Sequence, residues 1–336
     1  MLRSFYSGIS GLRNFQTKLD VVSNNIANVN TVGFKASRVM FQDVMSQTLQ
    51  GATAPQGTMG GVNPKQVGVG AGISSIDTKF TNGSLMTTNY ATDFYIDGDG
   101  FFLVSGDGGN VKYLTRAGNF KLDANGDLVD TRGMKVVGVH LKIDVDNSTT
   151  PPKYSLITDI DNTTNRPVTI PNDSLYSAIN LKYVPAKAFI VQSDGSIVEA
   201  VQQVTTGNES YSDSGSENIN IPDYKGINDV LVYDPDINNT NNEYEPVKIV
   251  DYSIGSDGTI EVLGSDGKKY ILPYKIAIAV VQNPEGLEKV GNSLYQFTGN
   301  ADFGVIEDHI TTPNNPETGS GAIYSGFLEM SNVDLA

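Results

Sequence analysis

Residues 2–28 read LRSFYSGISGLRNFQTKLDVVSNNIAN, and this stretch decides how the rest of the chain is interpreted. Apolar residues recur in it at alternating steps of three and four, and Gln16 and Ser23 occupy the two polar positions of the series. The six apolar members form what we call the seam: Leu2, Phe5, Ile9, Leu12, Leu19 and Ile26. This seven-residue repeat predicts an α-helix of about eight turns with a coiled-coil surface along one side.

The seam needs a second helix, because an isolated helix of this kind gains little stability by itself. No second heptad stretch follows it, since short strand and turn patterns fill the chain from about residue 70 onward. We therefore expect the partner helix in another chain or in a segment beyond Ala336, and a frayed helix in the isolated subunit. This pattern is typical of a subunit of an assembly.

Two segments separate the helix from the β-rich part of the chain. Residues 36–50 space their apolar side chains in a way that is also compatible with a helix. Residues 51–72 contain seven glycines together with Pro55 and Pro64, a composition typical of a linker or a long loop. We interpret 31–71 as an extended, Gly-rich linker region that follows the N-terminal helix, 1–30.

The remaining chain shows a β pattern. Short apolar runs alternate with Asn-Gly and Asp-Gly turns such as Asn82-Gly83 and Asp97-Gly98. The middle segment is richer in Asn, Asp, Ser and Thr than its flanks. The fold class predicted is mainly β with an N-terminal α-helix, in which a discontinuous β domain carries an inserted outer β domain. The predicted division assigns 72–144 plus 255–325 to the β domain, 145–254 to the inserted domain and 326–336 to the start of a truncated C-terminal segment.

Composition and charge exclude several classes of protein. The chain has no Cys, so disulfides, thiolate metal sites and cysteine nucleophiles are ruled out. Its net charge of −15 divides into +3 over residues 1–50 and −18 over the remainder, which argues against a nucleic-acid surface. No apolar run is long enough to span a membrane, and no cleavable signal peptide is visible, which by itself suggests a cytoplasmic protein.

The motifs that could carry chemistry are weak, so no catalytic site, metal or cofactor is predicted. His140 has no acidic neighbour at ligand spacing, and His309 offers at most one poor site beside Glu307 and Asp308. One loop partly matches the twelve-residue calcium-binding loop. Four oxygen-bearing residues stand at positions 1, 3, 5 and 12 of that loop: Asp234, Asp236, Asn238 and Glu245. Asn239 stands where that loop requires Gly, which favours a polar turn between strands.

Blocks near both ends resemble one family. The first block is Asn24-Asn25-Ile26-Ala27-Asn28 with Thr31-Val32-Gly33-Phe34-Lys35, and others lie at 93–102, 113–120, 282–287 and 326–335. Together they resemble the bacterial flagellar rod and hook axial proteins, over roughly half of the chain and in the same order. Six residues carry the first part of the signature: Asn24, Asn25, Asn28, Gly33, Phe34 and Lys35.

The resemblance implies a structural protein with no enzymatic activity and no cofactor. Within the family, the long segment 145–254 favours the hook type over the distal rod type. A hook type would form a helical homopolymer, a flexible tube outside the cell that transmits torque. Its further partners would be the distal rod protein, the hook cap protein and the hook–filament junction protein. The family continues into a C-terminal helix after Leu335, which is the partner that the seam lacks here.

The resemblance also implies export through the flagellar type III apparatus without a cleaved signal, which replaces the cytoplasmic assignment. Phe5 and Ile9 match the short Phe-x-x-x-aliphatic element that such substrates present to the export gate. The same two side chains lie on the seam, so packing alone also explains them. Two other classes stay open: a calcium-stabilised adhesin module, which would fit the acidic β part, and a glycan-active β enzyme, which would need a carboxylate pair.

Overall fold

The structure is a computed structural model, and it describes residues 2–55, 60–107, 109, 111–146, 153–158, 160–161, 166–167, 169–170, 179–185, 188–191, 197–199, 205–206, 209–210, 232–233 and 245–334. Two compact units are present. The N-terminal unit comprises Met1–Ser84 and Met330–Ala336, and the β unit comprises Leu85–Glu329. The fold is mainly β with one N-terminal helix among the described residues, which confirms the predicted fold class.

The N-terminal unit consists of one helix and two antiparallel ribbons. Its elements are α1 (Leu2–Ala27), β1 (Ser37–Asp43), β2 (Ser46–Gln50), β3 (Lys65–Gly68) and β4 (Ala71–Thr78). Strand β1 pairs with β4, and β2 pairs with β3. The helix ends where the Asn-rich stretch predicts, since Asn and the following Gly33 favour turns. The helical alternative for 36–50 is wrong, because β1 and β2 occupy that segment and find their hydrogen-bond partners in β4 and β3.

Helix α1 runs from Leu2 to Ala27, and fraying in an isolated subunit stays a prediction. A second contact surface, which the heptad argument leaves out, opposes such fraying. Helix α1 packs on the ribbon of β1 and β4 within the same unit, through the side opposite the seam. Tertiary packing of one face is the usual source of helix stability, and here that face is the polar one.

The β unit contains short strands joined by turns, as the Asn-Gly and Asp-Gly pattern predicts. From residue 85 to 199 the strands are β5 (Leu85–Thr87), β6 (Phe94–Asp97), β7 (Phe101–Ser105), β8 (Lys112–Thr115), β9 (Lys121–Leu122), β10 (Leu128–Val129), β11 (Lys135–Val136), β12 (Gly138–Asp146), β13 (Lys153–Thr158), β14 (Ile160–Asp161), β15 (Arg166–Pro167), β16 (Thr169–Ile170), β17 (Phe189–Val191) and β18 (Ile197–Glu199). From residue 205 onward they are β19 (Thr205–Thr206), β20 (Glu209–Ser210), β21 (Val232–Tyr233), β22 (Glu245–Pro246), β23 (Ile249–Ile254), β24 (Thr259–Gly264), β25 (Lys269–Ile276), β26 (Ile278–Ala279), β27 (Glu288–Gly291), β28 (Leu294–Gln296), β29 (Ile310–Thr311), β30 (Ala322–Ser325) and β31 (Phe327–Glu329). Short 3-10 helices lie at Pro284–Gly286 and Ile306–His309.

Two larger sheets organise the β unit. The first has the order β27-β28-β8-β7-β11-β10-β9, with β26 between β7 and β29. The second has the order β13-β12-β25-β17-β18, and β24 joins β25 to β23. Strands from before residue 145 and after residue 255 therefore pair directly, as in β7 with β26 and β12 with β25. At the end of the unit, β30 pairs with β6 and β31 pairs with β5.

One apolar core joins the two larger sheets. It includes Phe94, Phe102 and Phe120, whose rings contact one another, and the fully buried Tyr274. Five of its members come from the predicted inserted segment: Ile179, Leu181, Val184, Ala188 and Val247. Strand β12 also crosses the predicted boundary at 145. Parts of 145–254 thus pack with the β unit, and the inserted outer domain 145–254 stays a prediction.

Some predictions fall outside the described residues. Three members of the calcium-like loop, Asp234, Asp236 and Asn238, lie outside them, and Glu245 begins β22. The side chain of the seam residue Leu2 is also outside the described part. Within the described ranges, no helix is both long enough and apolar enough to cross a membrane.

Candidate assembly surface

Helix α1 presents two different faces. One face is half-buried against the helix's own unit, and its residues are small or polar with a single apolar exception. We call this face the polar strip, and its members are Ser7, Ser10, Gly11, Asn14, Thr17, Val21, Asn25 and Asn28. They recur at helical spacing on the side of the heptad opposite the seam. The strip, and not the seam, therefore attaches the helix to the rest of its unit.

Side-chain amides on the polar strip bind the backbone of the ribbon. The Asn14 amide donates to the carbonyl of Ala71 at 2.8 Å. Asn25 donates to the carbonyl of Ser37 at 2.7 Å and accepts from the Ser37 amide at 3.0 Å. These are half-buried bonds to backbone groups that would otherwise be unpaired at the ribbon edge. They hold α1 in one rotational setting on the ribbon.

The close approach of Ser10 in α1 to the backbone of Gly70 explains why a glycine stands at position 70. A Cβ atom on Gly70, which has a φ of +144°, would lie 2.5 Å from the Ser10 hydroxyl. By contrast, nothing lies within 4 Å of a Cβ placed on Gly8 or Gly11. Both positions therefore have room for a side chain within the described subunit.

The seam points away from the helix's own unit. Phe5 is 67% exposed and Leu12 is 73% exposed, and Ile9, Leu19 and Ile26 are exposed as well. Large apolar side chains beside the seam extend this surface: Tyr6, Phe15 and Val22. Phe15 also contacts Phe41 of β1, with ring centroids 5.7 Å apart. Exposed apolar patches of this extent are typical of interaction surfaces, and Gln16 and Ser23 are the polar positions within this one.

The family-signature residues build the turn that follows the helix. The Asn28 amide donates to the Asn24 side chain at 2.7 Å, and Gly33 adopts a φ of +65° that favours glycine. Phe34 and Lys35 are buried directly after this turn. The Lys35 ammonium donates to the carbonyl of Thr81 at 2.9 Å. The signature residues Asn24, Asn25, Asn28, Gly33, Phe34 and Lys35 therefore lie at the helix end and in the segment that follows it.

Asn332 joins the returning chain to this turn. Its side-chain oxygen accepts from the Ala36 amide at 2.7 Å, and its nitrogen donates to the carbonyls of Lys79 at 2.8 Å and Thr81 at 3.0 Å. One side chain thus satisfies backbone groups on two separate segments of the N-terminal unit. The sequence contains this residue in its last family block but gives no sign of the contact, because its partners lie far away along the chain.

The ribbon of β2 and β3 adds a second exposed area to the N-terminal unit. All residues of both strands are exposed, including the apolar Leu49 and Val67. Met45 and Val44, just before β2, are exposed too. A two-stranded ribbon without a buried face has little stability in water. We therefore regard this ribbon, with the seam, as part of the candidate assembly surface.

The described residues include His140 and His309, the two histidines of the weak chemical motifs in the sequence. They contain no cluster of three or more His, Asp or Glu side chains that could hold a metal ion. His140 lies on β12 opposite Tyr274, and His309 stacks on Phe297 with centroids 5.4 Å apart. His309 also approaches Asp302, with Nδ1 and Oδ2 3.4 Å apart. His309 is thus accounted for by contacts inside the β unit, and His140 lies on a paired strand of its second larger sheet.

Among the described ion pairs of the β unit, one has both of its side chains almost fully buried. Arg116 and Glu329 are both almost fully buried, with Nη1 and Oε2 3.7 Å apart. Burial lowers the pKa of Arg116, and the negative charge of Glu329 opposes that shift. The Arg116 guanidinium also donates to the carbonyl of Gly98 at 2.8 Å and lies over the ring of Phe101. The pair attaches the last strand, β31, to the first larger sheet.

Comparisons with known proteins match both units. Residues 5–35 match the family described as Flagella basal body rod protein, and residues 95–182 match the Flagellar hook protein FlgE/F/G D1 domain. The flagellar basal-body rod protein FlgG of Bacillus subtilis (strain 168) is 34% identical over 336 residues, which cover 100% of this chain and 86% of that protein.

Two relatives from Borreliella burgdorferi allow a direct comparison of hook and rod proteins. Its flagellar hook protein FlgE is 52% identical over 139 residues, which cover 41% of this chain and 31% of the hook protein. Its flagellar basal-body rod protein FlgG is 39% identical over 139 residues, which cover 41% of this chain and 52% of the rod protein. The match to the hook protein thus spans less than a third of that protein's length.

Proposed function

This chain belongs to the flagellar rod and hook protein family, and from that premise we propose that it is the structural subunit of the flagellar hook. Proteins of this family polymerise with copies of themselves in the flagellar axis, as part of the basal body or the hook. The family is structural and is not known for enzymes. The proposed role is mechanical: a tube of identical subunits outside the cell that bends while it transmits torque.

The open seam is the single observation that carries self-assembly. A helix held on its own ribbon by its polar strip presents five exposed apolar residues in one line on the other side. Water contact at such a line is unfavourable, and burial against another helix removes it. Repeated contacts between different surfaces of identical subunits generate a helical polymer without closure. The seam therefore supplies the innermost contacts in the proposed tube.

Sequence identity over two alignments of equal length favours the hook assignment over the distal rod. Across 139 residues the Borreliella burgdorferi hook protein is 52% identical to this chain and the rod protein of that organism is 39% identical. The length of segment 145–254, which the resemblance associates with the hook type, supports the same choice. The rod remains the second candidate because the Bacillus subtilis rod protein matches over the entire chain.

The proposal includes export and assembly partners. In the proposed pathway Phe5 and Ile9 bind the flagellar type III export gate while the chain is unfolded, and join the seam contacts after assembly. Both side chains are exposed in the folded subunit, so neither is required for its internal packing. The distal rod protein, the hook cap protein and the hook–filament junction protein would contact the two ends of the tube.

Complementation separates the two candidate functions. We expect this chain, when it is joined to the C-terminal helix that the family carries, to restore hooks in a strain that lacks its hook subunit, as seen by electron microscopy of purified basal bodies. We expect no rescue of a strain that lacks the distal rod protein. Rescue of the rod strain alone would establish the rod function instead.

Seam variants test the assembly mechanism in the same strain. The double variant Leu12→Ala/Leu19→Ala should be exported but should form no hooks, because two exposed apolar contacts are lost. The control Arg13→Ala/Asp20→Ala alters exposed neighbours off the seam and should form hooks normally. Circular dichroism of the purified variants should match the wild type, since neither pair is buried in the subunit. Normal hooks from the double variant would exclude the seam as the assembly contact.

A further inference from the structure

Phe303 is the most exposed large apolar side chain of the described residues, at 88% of its maximum. It lies in the β unit, in the segment 302–309, which we call the Phe303 loop. Single exposed apolar side chains are common on protein surfaces, so exposure alone assigns no role. The feature that sets Phe303 apart is the rigidity of the backbone that displays it.

Hydrogen bonds fix the peptide groups on both sides of Phe303. The buried carboxylate of Asp302 accepts from the amides of Gln282 at 3.0 Å and Phe303 at 2.8 Å. The carbonyl oxygen of Phe303 lies 2.9 Å from Nε2 of His309. His309 is in turn held by stacking on Phe297. The main chain at Phe303 therefore has one defined position while its ring stands in solvent.

The far end of the Phe303 loop is fixed as well. Asp308 accepts from the amide of Val305 at 3.2 Å. Glu307 accepts from the ammonium of Lys112 at 2.9 Å, and that ammonium also donates to the carbonyl of Gly109 at 2.8 Å. The Lys112 side chain is 1% exposed, so this ion pair is shielded on the lysine side. The loop is thus tied to the first residue of β8.

We propose that Phe303 is a docking anchor that inserts into a neighbouring copy of this chain in the polymer. The proposal rests on the proposed self-assembly and goes beyond it, because it assigns a contact outside the N-terminal unit. Buried aromatic anchors dominate the energy of many protein interfaces. A rigid loop avoids most of the ordering cost that a mobile side chain and backbone would add on binding. Val305, exposed on the same loop, enlarges the apolar area of the anchor.

A second copy is the occupant that the proposed self-assembly favours, and the net charge argues only against polyanionic partners. The chain has a net charge of −15, which opposes binding to nucleic acids and to anionic membranes. A protruding ring cannot enclose a small molecule. In a polymer of one chain every copy carries both the anchor and the surface that receives it, so one contact is repeated along the tube. The alternative is that Phe303 binds a different protein, and crosslinking distinguishes the two cases.

Photo-crosslinking in cells identifies the occupant. A benzophenone amino acid is placed at position 303, and at Val250 as a matched control, because Val250 is 67% exposed in β23. After irradiation we expect position 303 to give dimers and higher multiples that contain only this chain. The control should give at most one tenth of that yield. Crosslinks from position 303 to a different protein, or equal yields from both positions, would overturn the proposal.

Polymerisation measured by sedimentation distinguishes the anchor from the assembly function itself. We expect Phe303→Ala to raise the critical concentration at least tenfold, and Phe303→Tyr to keep most of the wild-type value. Val250→Ala should leave it unchanged. Wild-type polymerisation with no effect of Phe303→Ala would overturn the anchor alone. A wild-type chain that does not polymerise at all would overturn the proposed function and the anchor with it. Unchanged thermal unfolding of the Phe303→Ala monomer shows that the fold is intact, as expected for an exposed side chain.

Discussion

Asn25 and Ser37 exchange two hydrogen bonds, with the Asn25 amide group taking the position of a neighbouring strand opposite the first residue of β1. The side chain of a helix residue thereby imitates one step of a β ladder. Asn25 and Ser37 lie on either side of the turn that contains Gly33. Their hydrogen bonds therefore fix the angle between α1 and the ribbon. The rotational setting of the helix depends on this pair and on the bond from Asn14 to Ala71.

We expect Asn25→Ala to destabilise the N-terminal unit by about 1–3 kcal/mol, because a half-buried donor and acceptor on Ser37 lose their partners. Amide hydrogen exchange in β1 and β4 should become faster. The increase in rate, converted to a free energy, should equal the loss of unfolding free energy measured in urea. Ser23→Ala is the control, since Ser23 is exposed on the seam side of the same turn of the helix. Equal exchange rates in Asn25→Ala and wild type would contradict the assigned role.

We expect Phe5→Ala to block secretion while the purified subunit keeps its helix signal in circular dichroism. The side chain is 67% exposed, so its removal costs the folded monomer little. The measurement is the amount of subunit in the medium and inside the cells. Tyr6→Ala is a matched control, because Tyr6 is 68% exposed, adjacent, and off the seam.

Ile9→Leu should be nearly silent in both export and assembly, because it keeps an aliphatic side chain of the same volume. The same secretion assay applies, followed by counts of hooks on the cells. Wild-type amounts of the Phe5→Ala subunit in the medium would exclude the export role and leave only the packing role of the seam.

We expect Glu329→Gln to destabilise the β unit by about 3–5 kcal/mol, because it leaves the buried charge of Arg116 without its counter-charge. Thermal unfolding with tyrosine fluorescence measures the loss. The double variant Arg116→Met/Glu329→Gln should recover part of it, and the double-mutant cycle then gives the coupling energy. Additive losses from the two single changes would mean that the two side chains do not interact.

Acid should weaken the hairpin of β24 and β25 through Asp257. Burial raises the pKa of Asp257, but hydrogen bonds from Lys275 at 2.7 Å and Thr259 at 2.6 Å outweigh this and hold the pKa below its ordinary value. The ionised form is therefore favoured by folding. Its contribution is complete above the unfolded pKa of roughly 3.9 and is lost as the pH falls through the folded value.

The test of Asp257 compares wild type with Asp257→Asn by urea unfolding between neutral pH and about pH 3. We expect the variant to be less stable at neutral pH, with the difference shrinking as acid protonates Asp257 in the wild type. Ser256→Ala serves as the control in the same turn and should show the wild-type pH dependence. A stability difference that does not change with pH would refute the electrostatic explanation.

The sequence predicted the helix and the β character of the chain beyond about residue 72, because these patterns are local. The heptad series gave α1 to within one or two residues, and the Asp-Gly and Asn-Gly turns located strands such as β6 and β7. The prediction failed at 36–50, where β1 and β2 lack regular alternation. Neither face of the ribbon of β2 and β3 is buried, so apolar and polar residues need not alternate along it.

The candidate surface was predicted in part. The seam residues follow from periodicity, and their exposure agrees with a surface that awaits a partner. The polar strip was not predicted, because small and polar residues on a helix are normally read as facing water. The sequence does hold a signal for it, since Ser7, Asn14, Val21 and Asn28 recur at intervals of seven. Phe303 carries no pattern at all, and its loop is fixed by contacts such as Lys112 with Glu307 that no local sequence can reveal.

The two amide attachments of α1 have a consequence for how a tube of these subunits would be built. Asn14 and Asn25 lie about 16 Å apart along the helix axis. Together the two attachments fix the orientation of α1 on the ribbon, whereas either one alone would allow the helix to turn about it. The azimuth of the seam is therefore set inside each subunit before any neighbour arrives. Inserting one residue between them would turn one attachment by about 100° relative to the other. The helical pitch of the assembled tube would therefore depend in part on these two attachments, which lie inside one subunit and do not contact a neighbouring copy.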